Sequence, residues 1–244
     1  MVKWLTTKNI FNIHPLFYLV AFICVITANF KNFIIFSSII IVHEMGHIVG
    51  AFIFSWKIDK VILLPFGGIT IFQENIDKSL KEEFIIAILG PLFQITFYLL
   101  YRDNQIFNYY NLIILLFNLL PIYPLDGSKI VNILFNEFIS FKKSHILTII
   151  ISFFTLSIII LSIRHNILLY LILLFIFLEI IKEITKHNYY FNRFLLERYL
   201  FNNDYKKKKM INNIKKMKKQ TKHIFKVNNK YYTEREIIRN LFDK

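Results

Sequence analysis

Long apolar runs occupy most of the first three quarters of the chain, and short polar breaks separate them. A helix needs roughly 20 residues to cross a bilayer. Four runs reach about this length, and two further runs are weaker candidates. The four strong runs lie between Lys8 and Lys31, Lys31 and Lys57, Arg102 and Asp126, and Lys143 and Arg164; the weaker runs are Phe84 to Tyr101 and Asn166 to Ile181. The pattern predicts six transmembrane helices.

Composition agrees with this interpretation. Hydrophobic residues make up 55% of the chain and mean hydropathy is +0.48, which is too apolar for a soluble domain with a charged surface. The first run lacks a small-residue cleavage site after it, and five further runs follow. We therefore expect it to remain as the first crossing, not to be removed as a signal peptide.

The distribution of Lys and Arg predicts the orientation of the spans. Most basic residues of the polar breaks fall on the side that carries the termini, and only Lys31, Arg102 and Arg164 fall on the other side. Because basic residues accumulate on the cytoplasmic side, both termini are expected in the cytoplasm.

A basic tail follows the last apolar run. Nearly all of the net charge of +14 lies from Lys182 onward, and the densest part is Lys206 to Lys222. A basic stretch directly after a span is typical of contact with anionic lipid, which we favour over nucleic acid. The sequence therefore predicts a membrane domain over residues 1–192 and a small cytoplasmic region over 193–244.

The end of this tail has the pattern of a small α+β unit. Residues 223–227 are predicted as a strand, Asn228-Asn229 as a turn, and Tyr231-Tyr232 as the partner strand. Thr233 would cap a helix that runs to Phe242, with Glu236 at the capping-box position.

The candidate chemistry begins with HEMGH in the second run. Residues four apart share a helix face, so His43 and His47 can present two imidazoles to one zinc ion, with Glu44 beside them as a catalytic base. The only cysteine is Cys24, so a metal would need His and carboxylate ligands. The alternative is a polar contact between helices, but three ionisable residues within one apolar span are costly unless they bind something or line a wet cavity.

A third ligand is expected at membrane depth, and Asp126 in NLLPIYPLDGS is the acidic residue that qualifies. It also has a plainer interpretation, as part of a turn closed by Gly127 or as the N-cap of a helix running to about Phe138. However, Pro121 and Pro124 break the fourth run early, and non-helical backbone inside a membrane is tolerated where protein buries it or a cavity wets it.

These motifs resemble the site-2 protease family of intramembrane zinc proteases. The resemblance rests on HEMGH, on NLLPIYP followed by LDG, and on LLPFGGIT, AILGPLFQ and FNIHP at the expected places. RFLLERY and KKQTKHIFKV resemble the linker and CBS-like region of the sporulation branch, which releases a sigma factor from its membrane-tethered proform. Ser128 and Gln94 depart from the residues that many members have at these positions.

The resemblance implies a role for each matching residue. His43, His47 and Asp126 would bind one Zn2+, Glu44 would be the base, and Asn118 would hold the substrate backbone or the developing oxyanion. Phe66, Gly67 and Gly68 would form a membrane-dipping β-hairpin or loop after helix 2, and Pro124 would border the substrate. The plainer alternatives are a hairpin turn at Gly67-Gly68 and an interhelical hydrogen bond at Asn118.

The resemblance also implies partners and a location. The fold class is an all-α membrane protein with a small α+β CBS-like cytoplasmic tail, located in the membrane around the forespore on the mother-cell side. The expected partners are a membrane-tethered proprotein such as pro-sigma factor K, small membrane inhibitor proteins and anionic lipid; a homo-oligomer is left open. ATP would bind the CBS-like tail in this branch, although the tail is shorter than a full CBS motif.

Two other functions remain open at this point. The same protease could cut another target, such as an anti-sigma factor or a signal-peptide remnant. Alternatively, a non-proteolytic membrane protein could use His43, His47 and Asp126 to sense or carry a metal ion, and such a protein has no need of Glu44.

Overall fold

The computed structural model describes residues 10–73, 76–162, 167–201, 205, 207–227 and 230–242. The predicted Asn228-Asn229 turn, and the beginnings of the first and last apolar runs, lie outside these residues. Helices dominate the described part of the chain. They are α1 (Pro15–Ile26), α2 (Phe30–Ile53), α3 (Leu80–Tyr101), α4 (Gln105–Asn118), α5 (Asp126–Phe138), α6 (Phe141–Ser162), α7 (Ile167–Leu200) and α8 (Glu234–Phe242).

Three of the described helices are long and apolar enough to cross a membrane: α2, α3 and α6. Helix α1 is apolar but has only 12 residues, and α4 ends after 14 residues, before Pro121. Each of the six apolar runs contains a helix, and the count of six crossings remains a prediction. Between α4 and α5 the chain passes through a cis peptide bond at Tyr123-Pro124.

Two three-stranded sheets accompany the helices. The first contains β1 (Phe11–Ile13), β2 (Ile58–Leu64) and β3 (Gly67–Phe72) in that order. Strands β2 and β3 form an antiparallel hairpin in which Leu64 pairs with Gly67, which confirms that a hairpin follows the second span. Strand β1 pairs parallel to β2 and was not predicted.

The second sheet lies in the tail and contains β4 (Lys207–Ile211), β5 (Thr221–Val227) and β6 (Lys230–Thr233). The predicted hairpin and helix are present, and β4 adds a parallel strand that the charge of its lysines concealed. The capping box is formed: the Thr233 amide donates to Glu236 Oε2 at 2.7 Å, and the Glu236 amide donates to Thr233 Oγ1 at 3.4 Å.

The chain forms two compact units. The first comprises Met1–Glu74, Phe84–Leu120 and Leu125–Gly127, and the second comprises Asn75–Glu83, Pro121–Pro124 and Ser128–Lys244. Phe17, Ile39, Ile40, Phe107 and Ile114 form an apolar cluster in the first unit. In the second unit a cluster joins α6 and α7 to the tail sheet and α8: Phe141, Phe191, Phe194, Leu195, Ile211, Met217, Phe225 and Ile238.

Candidate metal centre

Helix α2 carries the HEMGH segment, and the side chains of His43, Glu44 and His47 are all buried. The two imidazoles lie one helical turn apart, with their Nε2 atoms 3.3 Å from each other. Gly46, between them in sequence, allows α3 to approach closely: a Cβ atom at this position would lie 2.3 Å from the Leu89 carbonyl oxygen. Small residues permit such close packing between membrane helices.

Asp126 completes the group from the first residue of α5. Its Oδ2 lies 2.8 Å from His43 Nε2 and 2.9 Å from His47 Nε2. The next residue, Gly127, packs against the backbone at the end of α4, where a Cβ atom would lie 2.2 Å from the Leu119 carbonyl oxygen. A larger residue there would displace the start of α5, so Gly127 helps to place the carboxylate beside the imidazoles.

The outer nitrogens of both histidines have fixed partners. His47 Nδ1 lies 2.8 Å from the carbonyl oxygen of Ile86, to which it can only donate. His43 Nδ1 lies 2.8 Å from Gln94 Oε1, and Gln94 Nε2 donates to the Asn111 carbonyl oxygen at 2.8 Å, which sets the orientation of the amide. Both neutral rings therefore carry their proton on Nδ1 and direct the lone pair of Nε2 inward.

The inward-facing atoms fit a metal ion. Two imidazole lone pairs and a carboxylate oxygen meet within 3.3 Å, an arrangement that is repulsive unless a positive charge lies among them. Zinc sites have N and O ligands at about 2.0–2.2 Å, so their donor atoms lie about 3.3 Å apart, close to the spacing found here. Two His and one carboxylate also form a catalytic zinc set, which leaves a coordination position for water or substrate.

Glu44 has the position expected of a base. Its candidate ligand atom lies within 4.8 Å of those of His43 and His47. Its Oε2 accepts a hydrogen bond from Thr70 Oγ1 at 2.9 Å, whereas its buried Oε1 has no hydrogen-bond partner among the described residues. One carboxylate oxygen is therefore anchored and the other is available to a small ligand such as water.

The hairpin brings the predicted substrate residues to the same place. A Cβ atom at Gly68 would lie 2.4 Å from Glu44 Cδ, and one at Gly67 would lie 2.5 Å from Asn118 Oδ1. Gly67 also has a φ of +154°, a conformation that side chains disfavour. Asn118 is buried, and its Nδ2 has no hydrogen-bond partner within the described part of the chain. Among the described residues, Asn118 Nδ2 therefore does not form the interhelical hydrogen bond that was the alternative interpretation.

Phe66 and Pro124 are the two remaining residues that were predicted to contact the substrate. Phe66, in the hairpin turn, packs its ring against that of Phe117, with 5.5 Å between the centroids. Pro124 is buried and lies two residues before Asp126. The structure thus gathers His43, Glu44, His47, Asp126, Asn118, Gly67 and Gly68 in the first unit.

Sequence reasoning assigned no role to three residues of this site: Thr70, Gln94 and Asn111. All three are buried polar residues. For Gln94 and Asn111 a signal was available, because an amide inside an apolar run needs an internal partner. Thr70 gave no such signal, since threonine is an ordinary strand residue.

Comparisons with known proteins agree with this site. The model of peptidase family M50 matches residues 31–102, which include HEMGH and the hairpin. Stage IV sporulation protein FB of Bacillus subtilis is 35% identical over 214 residues, which cover 82% of this chain and 74% of that protein. A zinc metalloprotease of Methanocaldococcus jannaschii is 35% identical over 127 residues, or 46% of this chain and 36% of that protein.

A solved structure is also similar. The site-2 protease from Methanocaldococcus jannaschii matches with a TM-score of 0.57 and 25% identity, covering 73% of this chain and 93% of that one. Fold, site and sequence thus describe a membrane metalloprotease. The chain belongs to peptidase family M50, the site-2 proteases.

Proposed function

We propose that this protein is an intramembrane zinc endopeptidase that cuts a membrane-tethered proprotein, with His43, His47 and Asp126 as zinc ligands and Glu44 as the base. The observation that carries the proposal is the convergence of three acceptor atoms beside a carboxylate oxygen that has no hydrogen-bond partner among the residues the structure describes. A metal carrier would need the three acceptors but not a free, buried carboxylate oxygen next to them. Proteolysis uses both.

The chain's own residues account for the steps of peptide hydrolysis. The ion, when bound, supplies Lewis-acid activation of water and of the substrate carbonyl. Glu44 Oε1 is free to take a proton from the attacking water and then to deliver it to the leaving amine, while Thr70 holds Oε2. Asn118 Nδ2 is a buried donor available to the oxyanion or to the substrate backbone.

The hairpin suggests how a substrate is held. Within the described sheet, β3 pairs with β2 on one side only, so its other edge is available to an extended peptide. A peptide bond in a helix is shielded by its own hydrogen bonds, so the substrate must be extended before cleavage. Backbone pairing along Gly67 and Gly68 would achieve this beside Glu44, with Phe66 bordering the path, and a substrate contact of Pro124 stays a prediction from the sequence.

The proposed substrate is a sporulation pro-sigma factor, specifically pro-sigma factor K. The likeness to a sporulation protein over most of the chain supports this substrate class. A location in the membrane around the forespore and control by small membrane inhibitor proteins, which the resemblance of the motifs implies, are part of the same proposal. Six spans, cytoplasmic termini, the division into residues 1–192 and 193–244, a CBS-like tail that binds ATP, and a homo-oligomer belong to the proposal as well.

Two variants test the mechanism on detergent-solubilised protein. Glu44→Gln is expected to retain zinc, because Glu44 is not a ligand, but to lose cleavage of a co-expressed pro-sigma factor by at least about 100-fold. Asp126→Ala is expected to lose both zinc and cleavage. Zinc content by elemental analysis and product bands on a gel provide the two measurements.

The results distinguish the alternatives. Cleavage by Glu44→Gln at the parental rate would refute the assignment of the base, and a normal zinc content in Asp126→Ala would refute the ligand set. Loss of metal and of biological activity in every ligand variant, with no effect of Glu44→Gln, would favour the metal carrier. A tethered anti-sigma factor tested in parallel separates the substrate question from the mechanism.

A further inference from the structure

A group of lysines lies at one end of the membrane helix α6, brought there by the folding of the tail. The Phe141 amide, at the first residue of α6, donates to the Met217 carbonyl oxygen at 3.0 Å. The Lys218 ammonium donates to the carbonyl oxygen of Phe138, the last residue of α5. These bonds hold the tail segment around Lys218 directly at the point where the apolar span begins.

Strand β4 adds further positive charge at this place. Lys207, Lys208 and Lys209 are all exposed, and Lys207 lies 3.2 Å from Glu137, one residue before the end of α5. Burial, and repulsion from nearby Lys209 and Lys207, lower the pKa of Lys218, while Glu137 opposes this effect. Lysines from two distant parts of the tail are therefore close enough to repel one another.

Helix α6 contributes two lysines of its own. Lys143 is exposed, and Lys142 lies over the ring of Phe191, 5.1 Å from its centroid. We define the lysine face as Lys207, Lys209 and Lys218, and the two lysines in the first turn of α6 add charge at the same end of this helix. Glu137 is the acidic residue found paired with it in the described structure.

We propose that the lysine face binds the anionic headgroups of phospholipids and so holds the tail sheet against the membrane. Each Lys near an anionic surface contributes on the order of 1 kcal/mol, so several together can bind where one cannot. Met210 follows Lys209 on the opposite face of β4 and has 62% of its surface exposed, so it offers a labelling position on the same strand that leaves the lysines intact.

The position of the lysines favours lipid over an acidic protein segment. A docking site for a peptide would not need to lie at the end of a membrane span, whereas a headgroup site must. Like charges that repel one another in the protein alone are also stabilised by a dense layer of phosphate groups, which a single acidic side chain cannot match. This inference concerns the attachment of the tail and does not depend on the proposed protease chemistry.

The test uses the full chain in lipid nanodiscs with a fluorescent label at one cysteine. Cys24→Ser removes the native thiol, and Met210→Cys supplies the labelling site. Quenching by lipids with a spin-labelled headgroup is expected to rise at least about twofold when phosphatidylglycerol replaces about a third of phosphatidylcholine, and about 0.5 M NaCl should reverse it. A label at Tyr231→Cys, also 62% exposed in the parent, should not respond.

Matched charge variants locate the effect. Replacing Lys207, Lys209 and Lys218 with Gln should abolish the response at position 210, and replacing them with Arg should preserve it. Replacing the exposed Lys226, Lys230 and Arg235 with Gln removes the same charge elsewhere in the tail and should leave the response intact.

Three results would overturn the proposal. They are quenching that is independent of phosphatidylglycerol, equal loss in both sets of Gln variants, and a label that responds to an acidic peptide such as polyglutamate but not to lipid. None of these measurements uses proteolysis, so their failure is distinct from failure of the proposed function.

Discussion

At the residue scale, the two oxygens of Glu44 have different surroundings. Thr70 Oγ1 holds Oε2 at 2.9 Å, and Oε1 is buried without a partner among the described residues. A carboxylate on a helix can rotate about its side-chain bonds, and a base must present one oxygen in a defined direction. Thr70 is therefore a positioning residue, which acts on the reaction through Glu44.

Replacing Thr70 with Val removes the hydroxyl but preserves the branched shape. We expect kcat to fall about 10- to 100-fold, because a hydrogen bond to a charged group contributes about 1.5–3 kcal/mol, while KM and zinc content stay near the parental values. Thr70→Ser, which retains the hydroxyl, should recover most of the rate. Steady-state cleavage and elemental analysis measure these effects, and a parental kcat in Thr70→Val would contradict the role.

At the element scale, the metal centre depends on the packing of α2 against α3. Helix α2 supplies both histidines, and α3 supplies the Ile86 carbonyl and Gln94 that orient them. Two glycines of α2 face α3. A Cβ atom at Gly46 would lie 2.3 Å from the backbone oxygen of Leu89, whereas one at Gly50 would first meet the Leu89 Cδ1 atom at 2.8 Å and backbone only at 3.1 Å, at the Ile86 Cα. A side-chain methyl can move aside, but a helix backbone cannot.

These two glycines provide a matched pair of variants. Gly46→Ala should separate the helices, lower zinc occupancy severalfold and destabilise the protein by about 1–3 kcal/mol or more, as overpacking does. Gly50→Ala should have a smaller effect on both properties, because the Leu89 side chain can change rotamer. Zinc content and the midpoint of thermal unfolding in detergent measure both. Equal effects of the two substitutions would show that backbone approach at Gly46 is not the controlling contact.

At the scale of the whole molecule, a buried arginine holds the second unit together. The Arg198 guanidinium lies 2.6 Å from Asp77 and donates to the Thr221 and Lys218 carbonyl oxygens at 2.9 and 2.8 Å. The Arg198 Cζ atom lies over the Tyr205 ring, 4.4 Å from its centroid. The Tyr205 hydroxyl donates to Asp77 Oδ2 at 2.5 Å. Burial raises the pKa of Asp77, and Arg198 opposes that shift. One cation therefore links the segment before α3, the end of α7 and the tail sheet.

Removing this cation should loosen the tail. Arg198→Met leaves the buried Asp77 without its cation and two carbonyl groups without this donor, and we expect a loss of about 3–5 kcal/mol, the usual cost of breaking a buried ion pair on one side. Limited proteolysis should then cut between α7 and β5. Arg193→Met removes a more exposed ion pair with Glu197 on the same helix and should cost about 0–1 kcal/mol. Equal resistance of the two variants to proteolysis would contradict this account. Adding Asp77→Asn to Arg198→Met removes the unpaired buried charge and should restore part of the stability.

The sequence by itself determined the features that follow from local residue patterns or from the free-energy cost of placing a polar side chain inside an apolar span. Apolar length predicted the helices, and the expense of ionisable groups inside a span identified the HEMGH residues and Asp126 as a group. Capping chemistry predicted the start of α8, which the Thr233 and Glu236 bonds confirm. These inferences succeed because each depends on residues within a few positions of one another, or on the burial of one side chain.

Only the tertiary structure decided which distant residues meet. The parallel pairing of β1 with β2, the anchoring of Glu44 by Thr70 and the orientation of His43 by Gln94 all join residues far apart in sequence. Strand β4 was hidden because consecutive lysines lack the alternation of a half-buried strand, and parallel pairing with β5 supplies the hydrogen bonds instead. Such contacts follow from the packing of helices and sheets against each other, which no local pattern of residues records.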